Sequence, residues 1–409
     1  TITAPETVEA LGVQRNILED LALKILAFEG ELTIPELSER MKVSLPVADE
    51  IFQRLRKERN CEVKGMVAGI YRIVVTSGGR DRAQGLLGLN RYTGPAPVSL
   101  EEYSRRVLEQ TVQAAEIRPV ELERALEHLV ISDQMLKQLG TAVVSGTTIF
   151  LHGPSGTGKT AIAESLPSVY NDHIYLPYAV EVGGQIITIY DRGLHQKVKE
   201  DSHPDEVDCR WVLCRRPRVV VGGELTDEML DLQFNPVTKF YSAPLQMKAN
   251  NGVLIIDDFG RQRIQPEDML NRWIVPLDRR VDFLHLAGGK SFEIPFDLFV
   301  VFATNLNPTD LVDAAFLRRI QNKIKVDYVT PDYFHSIFQG VCKQFELVYD
   351  REVVDRFLKI LEERKEPRRA CYPRDIARQV CWAARYEGRP PKLDHESIRA
   401  ACDIYFLET

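Results

Sequence analysis

The sequence predicts an α/β domain, a parallel sheet flanked by helices, with a small helix-and-hairpin domain before it and an all-helical domain after it. Three observations carry this expectation. Thr148–Thr160, TIFLHGPSGTGKT, runs from an apolar strand through a glycine-rich turn into a helix. Two more apolar strands, Val253–Gly260 (VLIIDDFG) and Leu298–Asn305 (LFVVFATN), end in polar residues. From Pro331 to Leu407 the pattern becomes wholly helical. The expected domains are 1–90, 91–330 and 331–409.

The glycine-rich turn fits GxxxxGK[ST] between a strand and a helix, which is a P-loop. Gly153, Pro154, Ser155, Gly156, Thr157, Gly158, Lys159 and Thr160 are its residues. Its glycines let consecutive N–H groups point inward at phosphate oxygens, and the following helix dipole adds to that attraction. Lys159 would reach the β- and γ-phosphates, and the Thr160 hydroxyl would ligand Mg²⁺. The residues imply a nucleoside triphosphate site.

In VLIIDDFG, four apolar residues make a buried strand, and Asp257 emerges at its carboxyl end, where open α/β sheets bind ligands. A carboxylate there holds Mg²⁺ through water, and Asp258 beside it can deprotonate an attacking water. Asn305 ends the next such strand and would sit between the γ-phosphate and that water. Phe316–Ile320 then presents the adjacent pair Arg318 and Arg319, and Arg374 lies within the helical region.

The chain has 409 residues, a net charge of −7 and seven scattered cysteines with no CxxC pair. That balance excludes a global basic footprint for nucleic acid, and the odd cysteine count argues for reduced thiols. His203, Cys209 and Cys214 are close in sequence but lack zinc-ligand spacing. No apolar run approaches a membrane span and no signal peptide is visible, so no membrane insertion is expected and the cytoplasm is the expected compartment. The first residue is Thr1 rather than Met, which leaves room for an upstream segment.

Residues 14–60 read as three helices. Thr33 caps the second, with Pro35 in its first turn, and Ser44 caps the third, which runs from Pro46 to Arg59. Two short strands follow, Cys61–Lys64 and Tyr71–Thr76. Helix, helix, helix, hairpin is the order of a winged helix, whose third helix would read DNA. That helix carries Gln53, Arg54, Arg56, Lys57 and Arg59, but also Asp49, Glu50 and Glu58. Duplex binding and protein docking both remain open, with docking favoured. Residues 77–100 read as a linker, and 100–140 as two helices leading into the α/β domain.

P-loop, Asp-Asp strand end, strand-terminal Asn, arginine pair and a helical tail with an arginine come in the order of AAA+ ATPases. The chain most resembles the branch that includes MoxR-like ATPases and bacterial enhancer-binding activators. There, a sequence like ANGGTLFLDEIG precedes a helix, a β-hairpin and an ATN strand. Here Ala249–Gly260 is ANNGVLIIDDFG, Pro266–Arg280 is the helix, Val281–Pro295 is the hairpin turning at Gly288–Gly289, and Phe299–Asn305 is FVVFATN. The match covers roughly residues 130–409.

The resemblance implies that Gly153–Thr160 is Walker A, Asp257 the Mg²⁺-side Walker B acid, and Asn305 sensor 1. Arg319 stands at the arginine-finger position, with Arg318 as the fallback, and Arg374 resembles sensor 2 on a helical lid. A finger acting in trans implies a homo-oligomeric ring, a hexamer, with ATP between subunits. Asp258 replaces the family's glutamate and is one methylene shorter, about 1.5 Å. Slow but real hydrolysis is therefore expected, with Glu224 as the other acid worth testing.

Some eighty residues separate the P-loop helix from the Asp-Asp strand. Tyr175–Val182 is expected to supply the next sheet strand. The 183–222 region stands where the family carries its helix-2 insert, and no GAFTGA-like loop occurs in it, which counts against polymerase activation. Arg215, Arg216, Arg218 and Lys290 could line a pore with positive charge. The leading expectation is a ring-forming ATPase that remodels or assembles a protein client. The alternative is an ATP-gated DNA-binding regulator, and a third reading is a slow nucleotide switch.

Overall fold

Strands that are apolar at every position are stable only when both faces are covered. In the computed structural model, which describes residues 2–67, 69–198, 207–311 and 314–407, this holds for the central sheet. Its strands are β1 (Thr148–His152), β2 (Arg218–Val221), β3 (Gly252–Ile256), β4 (Leu298–Thr304) and β5 (Asn322–Lys325). They pair in parallel in the order β2-β3-β4-β1-β5.

Because successive side chains alternate between faces, each strand feeds two cores. Phe150, Leu254, Ile256, Val300 and Phe302 pack with Met269 and Trp273 on one face. Ile149, Leu151, Val253, Ile255 and Val301 pack with Ile162, Leu166 and Val143 on the other. The domain is an α/β P-loop fold with β1, which leads into the P-loop, inside the sheet.

Contrary to the expectation from the sequence, the stretch Tyr175–Val182 does not supply the next strand of this sheet. It splits: His173–Pro177 pairs antiparallel with Trp211–Arg215, and Ala179–Val182 joins a second sheet with Gln185–Thr188, Tyr241–Ser242, Gln233–Phe234 and Val98–Ser99. The neighbour of β3 is instead β2.

Before the sheet lie helices Arg15–Glu29, Ile34–Met41 and Leu45–Lys57, then strands Cys61–Val67 and Ile70–Val75, with Glu31–Thr33 on the edge of the hairpin. Thr33 caps its helix as expected: its hydroxyl accepts from Glu36 N at 3.3 Å, and Glu36 accepts from Thr33 N at 2.7 Å. Ser44 makes no side-chain cap; its hydroxyl donates to the Pro5 carbonyl at 2.7 Å.

The expected linker is largely a helix, Ser77–Leu89, capped by Thr76 and packed on Arg15–Glu29. Four glycines weaken it intrinsically, by about 1 kcal/mol each against alanine, so tertiary contact must hold it. Gly79 explains part of that cost, since a Cβ there would lie 1.9 Å from the Asn60 carbonyl oxygen.

The hairpin Val281–His285 and Ser291–Pro295 forms as expected, after helix Pro266–Arg279. Helices Pro331–Gln344, Arg351–Glu363, Tyr372–Tyr386 and His395–Tyr405 enclose a separate core around Phe334, Phe338 and Phe357. Among the described residues no helix is long and apolar enough to cross a membrane.

Candidate nucleotide-binding site

The P-loop turns between β1 and helix Lys159–Ser165. Gly153, Gly156 and Gly158 all have positive φ, 139°, 77° and 98°. Lys159 is folded into the loop: its ammonium donates to the carbonyls of Gly153 at 2.9 Å and Pro154 at 2.7 Å, and Thr157 donates to the latter at 2.9 Å. Burial draws the lysine pKa down, and the carboxylates of Asp257 and Asp258 oppose that shift. The Lys159 cation thus faces both acids at the strand end.

Thr160 meets Asp257 directly, its hydroxyl 3.0 Å from each carboxylate oxygen. Hard oxygen donors from one hydroxyl and one carboxylate suit Mg²⁺, which keeps several waters and takes substrate phosphates as further ligands. Among the described residues no cluster of three or more His, Cys, Asp or Glu offers an all-protein metal cage. The Thr160 hydroxyl and the Asp257 carboxylate fit Mg²⁺ carried with a triphosphate. Of the zinc candidates, His203 lies outside the described residues.

Asp258 adopts a left-handed backbone, φ 49°, and its carboxylate accepts from Asn305 Nδ2 at 3.0 Å. The turn is pinned to β4, with Phe259 N donating to the Ala303 carbonyl at 2.8 Å and Thr304 donating to the Phe259 carbonyl at 2.6 Å. Gln262, which sequence reasoning passed over, also grips this turn: its Nε2 donates to the carbonyls of Asp257 and Asp258. Glu224 follows β2, and the Gly222 N–H bonding its carboxylate holds its pKa below the usual range.

Lys159, Thr160, Asp257, Asp258 and Asn305 thus form one cluster. The two arginines are engaged elsewhere in the chain: Arg319 donates to Asp278 at 2.8 Å, and Arg374 lies 3.7 Å from Asp375 with more than half its side chain exposed. Arg216 cannot line a pore. Its side chain is 5% exposed, and its guanidinium is bound to Asp172 at 2.6 Å and to the carbonyls of Gln110 and Asn251. Arg218 lies 3.7 Å from Glu164. Lys290, at the hairpin tip, lies against the Gly183 turn, its amine 2.6 Å from where a Cβ on Gly183 would be.

The C-terminal helices touch the P-loop itself. Cys371 N donates to the Gly156 carbonyl at 3.1 Å. A Cβ on Gly156 would lie 2.7 Å from Cys371 Sγ and 3.2 Å from Arg369 Cδ. Only glycine fits that seam. It could not be read from sequence, because it joins residues more than two hundred positions apart.

Residues 330–404 match the model of a domain of unknown function, DUF8689. No curated protein matches the chain. Among solved structures it is similar to NtrX from Brucella abortus in complex with ADP, at 14% identity and a TM-score of 0.42, over 68% of this chain and 56% of that one. It is also similar to a RuvB mutant from Thermotoga maritima, at 12% identity and a TM-score of 0.36, over 72% of each chain. The chain thus spans little more than half the length of the NtrX chain.

Proposed function

We propose that this chain is a Mg-ATP-hydrolysing AAA+ ATPase of MoxR-like type, which works as a ring and couples hydrolysis to remodelling or assembly of a protein partner. The observation that carries the reading is the meeting of Thr160 with Asp257 and of Asn305 with Asp258 at the carboxyl ends of three neighbouring parallel strands, β3, β4 and β1.

On binding, the Lys159 ammonium exchanges loop carbonyls for β- and γ-phosphate oxygens. Thr160 and Asp257 would hold Mg²⁺, Asp257 through water; the ion, when bound, neutralises phosphate charge. Asn305 orients a water against the γ-phosphate, and Asp258 takes the proton from that water as its oxygen bonds to phosphorus. The bond from γ-phosphorus to the bridging oxygen breaks, and its electron pair leaves on ADP. Arg319 acts from the neighbouring subunit, and Arg374 follows the nucleotide from the helical lid.

The N-terminal helices and hairpin, as a winged helix, serve to dock protein. Arg54 on the third helix is paired with Glu58 at 3.3 Å and Glu19 at 3.8 Å, and Arg82 bonds Glu58 and Asp20. Such pairing leaves less free positive charge for phosphate backbones.

The test is turnover and particle size, with and without ATP, for wild type, Lys159→Ala and Arg319→Ala. Growth on ATP and turnover lost in both variants support the reading. A chain indifferent to adenine nucleotides, or equally active as isolated subunits, would sink it. Stimulation by duplex rather than protein would favour the DNA regulator.

A further inference from the structure

A residue forced into the left-handed region persists only where its surroundings over-determine it, and such residues gather at working sites. Asp258 is one, at φ 49°. One side chain binds the backbone of its turn at three points. Gln262 Nε2 donates to the Asp257 carbonyl at 2.8 Å and to the Asp258 carbonyl at 3.2 Å, while its Oε1 accepts from Gly260 N at 2.7 Å. Arg261 N adds a bond to the Asp258 carbonyl at 3.0 Å.

Gln262 therefore bridges three residues of the turn and uses both ends of its amide. A glutamate there could accept from Gly260 but not donate to the two carbonyls, and a lysine could donate but not accept. Only an amide of this length satisfies all three. The far side of the turn is fixed by Phe259 and Thr304 on β4, so the Asp258 carboxylate is aimed from two directions and met by Asn305.

We infer that Gln262 is a positioning residue for hydrolysis: it holds the left-handed turn that aims the Asp258 carboxylate at the attacking water. The inference rests on the reading of Asp258 as the general base. Among the described residues Gln262 makes its hydrogen bonds to the backbone of the turn and not to the P-loop or the Asp257 carboxylate, so its effect is expected on the chemical step and not on binding. A carboxylate misplaced by about 1 Å costs on the order of 10²-fold in rate.

The experiment is steady-state turnover and ATP affinity for wild type, Gln262→Ala, Gln262→Met, Asp258→Asn and the double variant Asp258→Asn with Gln262→Met. Methionine keeps the side chain's length without its hydrogen bonds, so it stands in if the alanine variant fails to fold. The expected result is a fall in kcat of ~10- to 100-fold for either Gln262 variant, with KM and ATP affinity within about threefold of wild type. In the Asp258→Asn background the Gln262→Met change should cost nothing further, since the group it positions is gone. Unchanged kcat in the Gln262 variants, a parallel loss of affinity, or losses that multiply in the double variant would overturn the inference. Wild-type turnover in Asp258→Asn would instead overturn the base assignment beneath it.

Discussion

Asn305 donates to Asp258 at 3.0 Å, and so ties the polar end of β4 to the turn that follows β3, its neighbour in the sheet. Two residues forty-seven positions apart meet because parallel strands end in register at the sheet's carboxyl edge. On the proposed reading, γ-phosphate and water come between them, and the same amide then orients the water. Asn305→Ala should lower kcat by about 10²-fold, in the range typical of losing one aligned donor. ATP affinity should stay within about threefold, because the P-loop is untouched. Equal losses of binding and rate in that variant would place Asn305 in nucleotide binding and not in the chemical step.

Gly156 has φ 77° and no room for a Cβ between itself and Cys371 Sγ. Gly156→Ala therefore meets two penalties. The left-handed backbone alone costs about 1–2 kcal/mol, and the displaced Cys371, which caps helix Tyr372–Tyr386, loses its bond to the loop carbonyl. The variant should bind ATP at least tenfold more weakly and unfold at lower urea. Titration with a fluorescent ATP analogue alongside urea denaturation checks both. Wild-type affinity would mean that the C-terminal helices can part from the P-loop at no cost.

What the sequence disclosed and what it concealed follow from the range of the forces involved. Ile149–Leu151, Val253–Ile256 and Leu298–Ala303 were legible as strands because continuous apolar runs bounded by glycine and polar residues have one stable use, a sheet buried on both faces. The polar residues at their ends then locate the site. The run Tyr175–Val182 looks the same locally, yet nothing in it says which sheet it will join, and it joins two. Ser77–Leu89 hid behind its glycines, since packing on Arg15–Glu29 outweighs poor propensity. Gln262 was invisible because its role depends on a left-handed turn four residues earlier, and no periodicity encodes that. Arg216 was misjudged in the same way: a basic cluster in sequence says nothing of the Asp172 carboxylate that folding brings to it.

Arg210 is fully buried and charged, and it binds segments from three parts of the chain. It pairs with Asp208 at 2.7 Å and Glu102 at 3.4 Å, and donates to the carbonyls of Leu11 at 3.1 Å and Pro97 at 3.3 Å. The segment ahead of the N-terminal helices is thereby tied to the chain entering strand Val98–Ser99 and to the residue before strand Trp211–Arg215. Truncating one partner of a buried pair leaves the other charge unpaired, at about 3–5 kcal/mol. Arg210→Ala should lose stability on that scale in urea denaturation and open the region near Pro97 to limited proteolysis. A loss below about 1 kcal/mol, with an unchanged cleavage pattern, would show that the apolar contacts alone hold the N-terminal part in place.

His195 supplies a pH dependence whose sign can be worked out. It is 3% exposed, its Nδ1 accepts from Asp191 N at 2.9 Å, and its Nε2 faces the Lys248 carbonyl at 2.8 Å. A bare nitrogen must face the N–H and a protonated one the carbonyl, which assigns the neutral Nε2–H tautomer. A second proton on Nδ1 would confront the Asp191 N–H. Burial holds the pKa below the usual 6.5, with the Lys248 carbonyl and Asp191 opposing. The unfolded chain therefore binds this proton more readily than the folded one. Stability falls as pH drops through 6.5 and stops falling only below the folded-state pKa, with a slope of at most about 1.4 kcal/mol per pH unit. Above about pH 7.5 the residue contributes no slope, because it is neutral in both states. Urea denaturation at pH 7.5, 6.5 and 5.5 should show wild type losing more stability than His195→Gln across that window. Parallel curves for the two would mean that the folded protein accommodates the imidazolium as readily as water does.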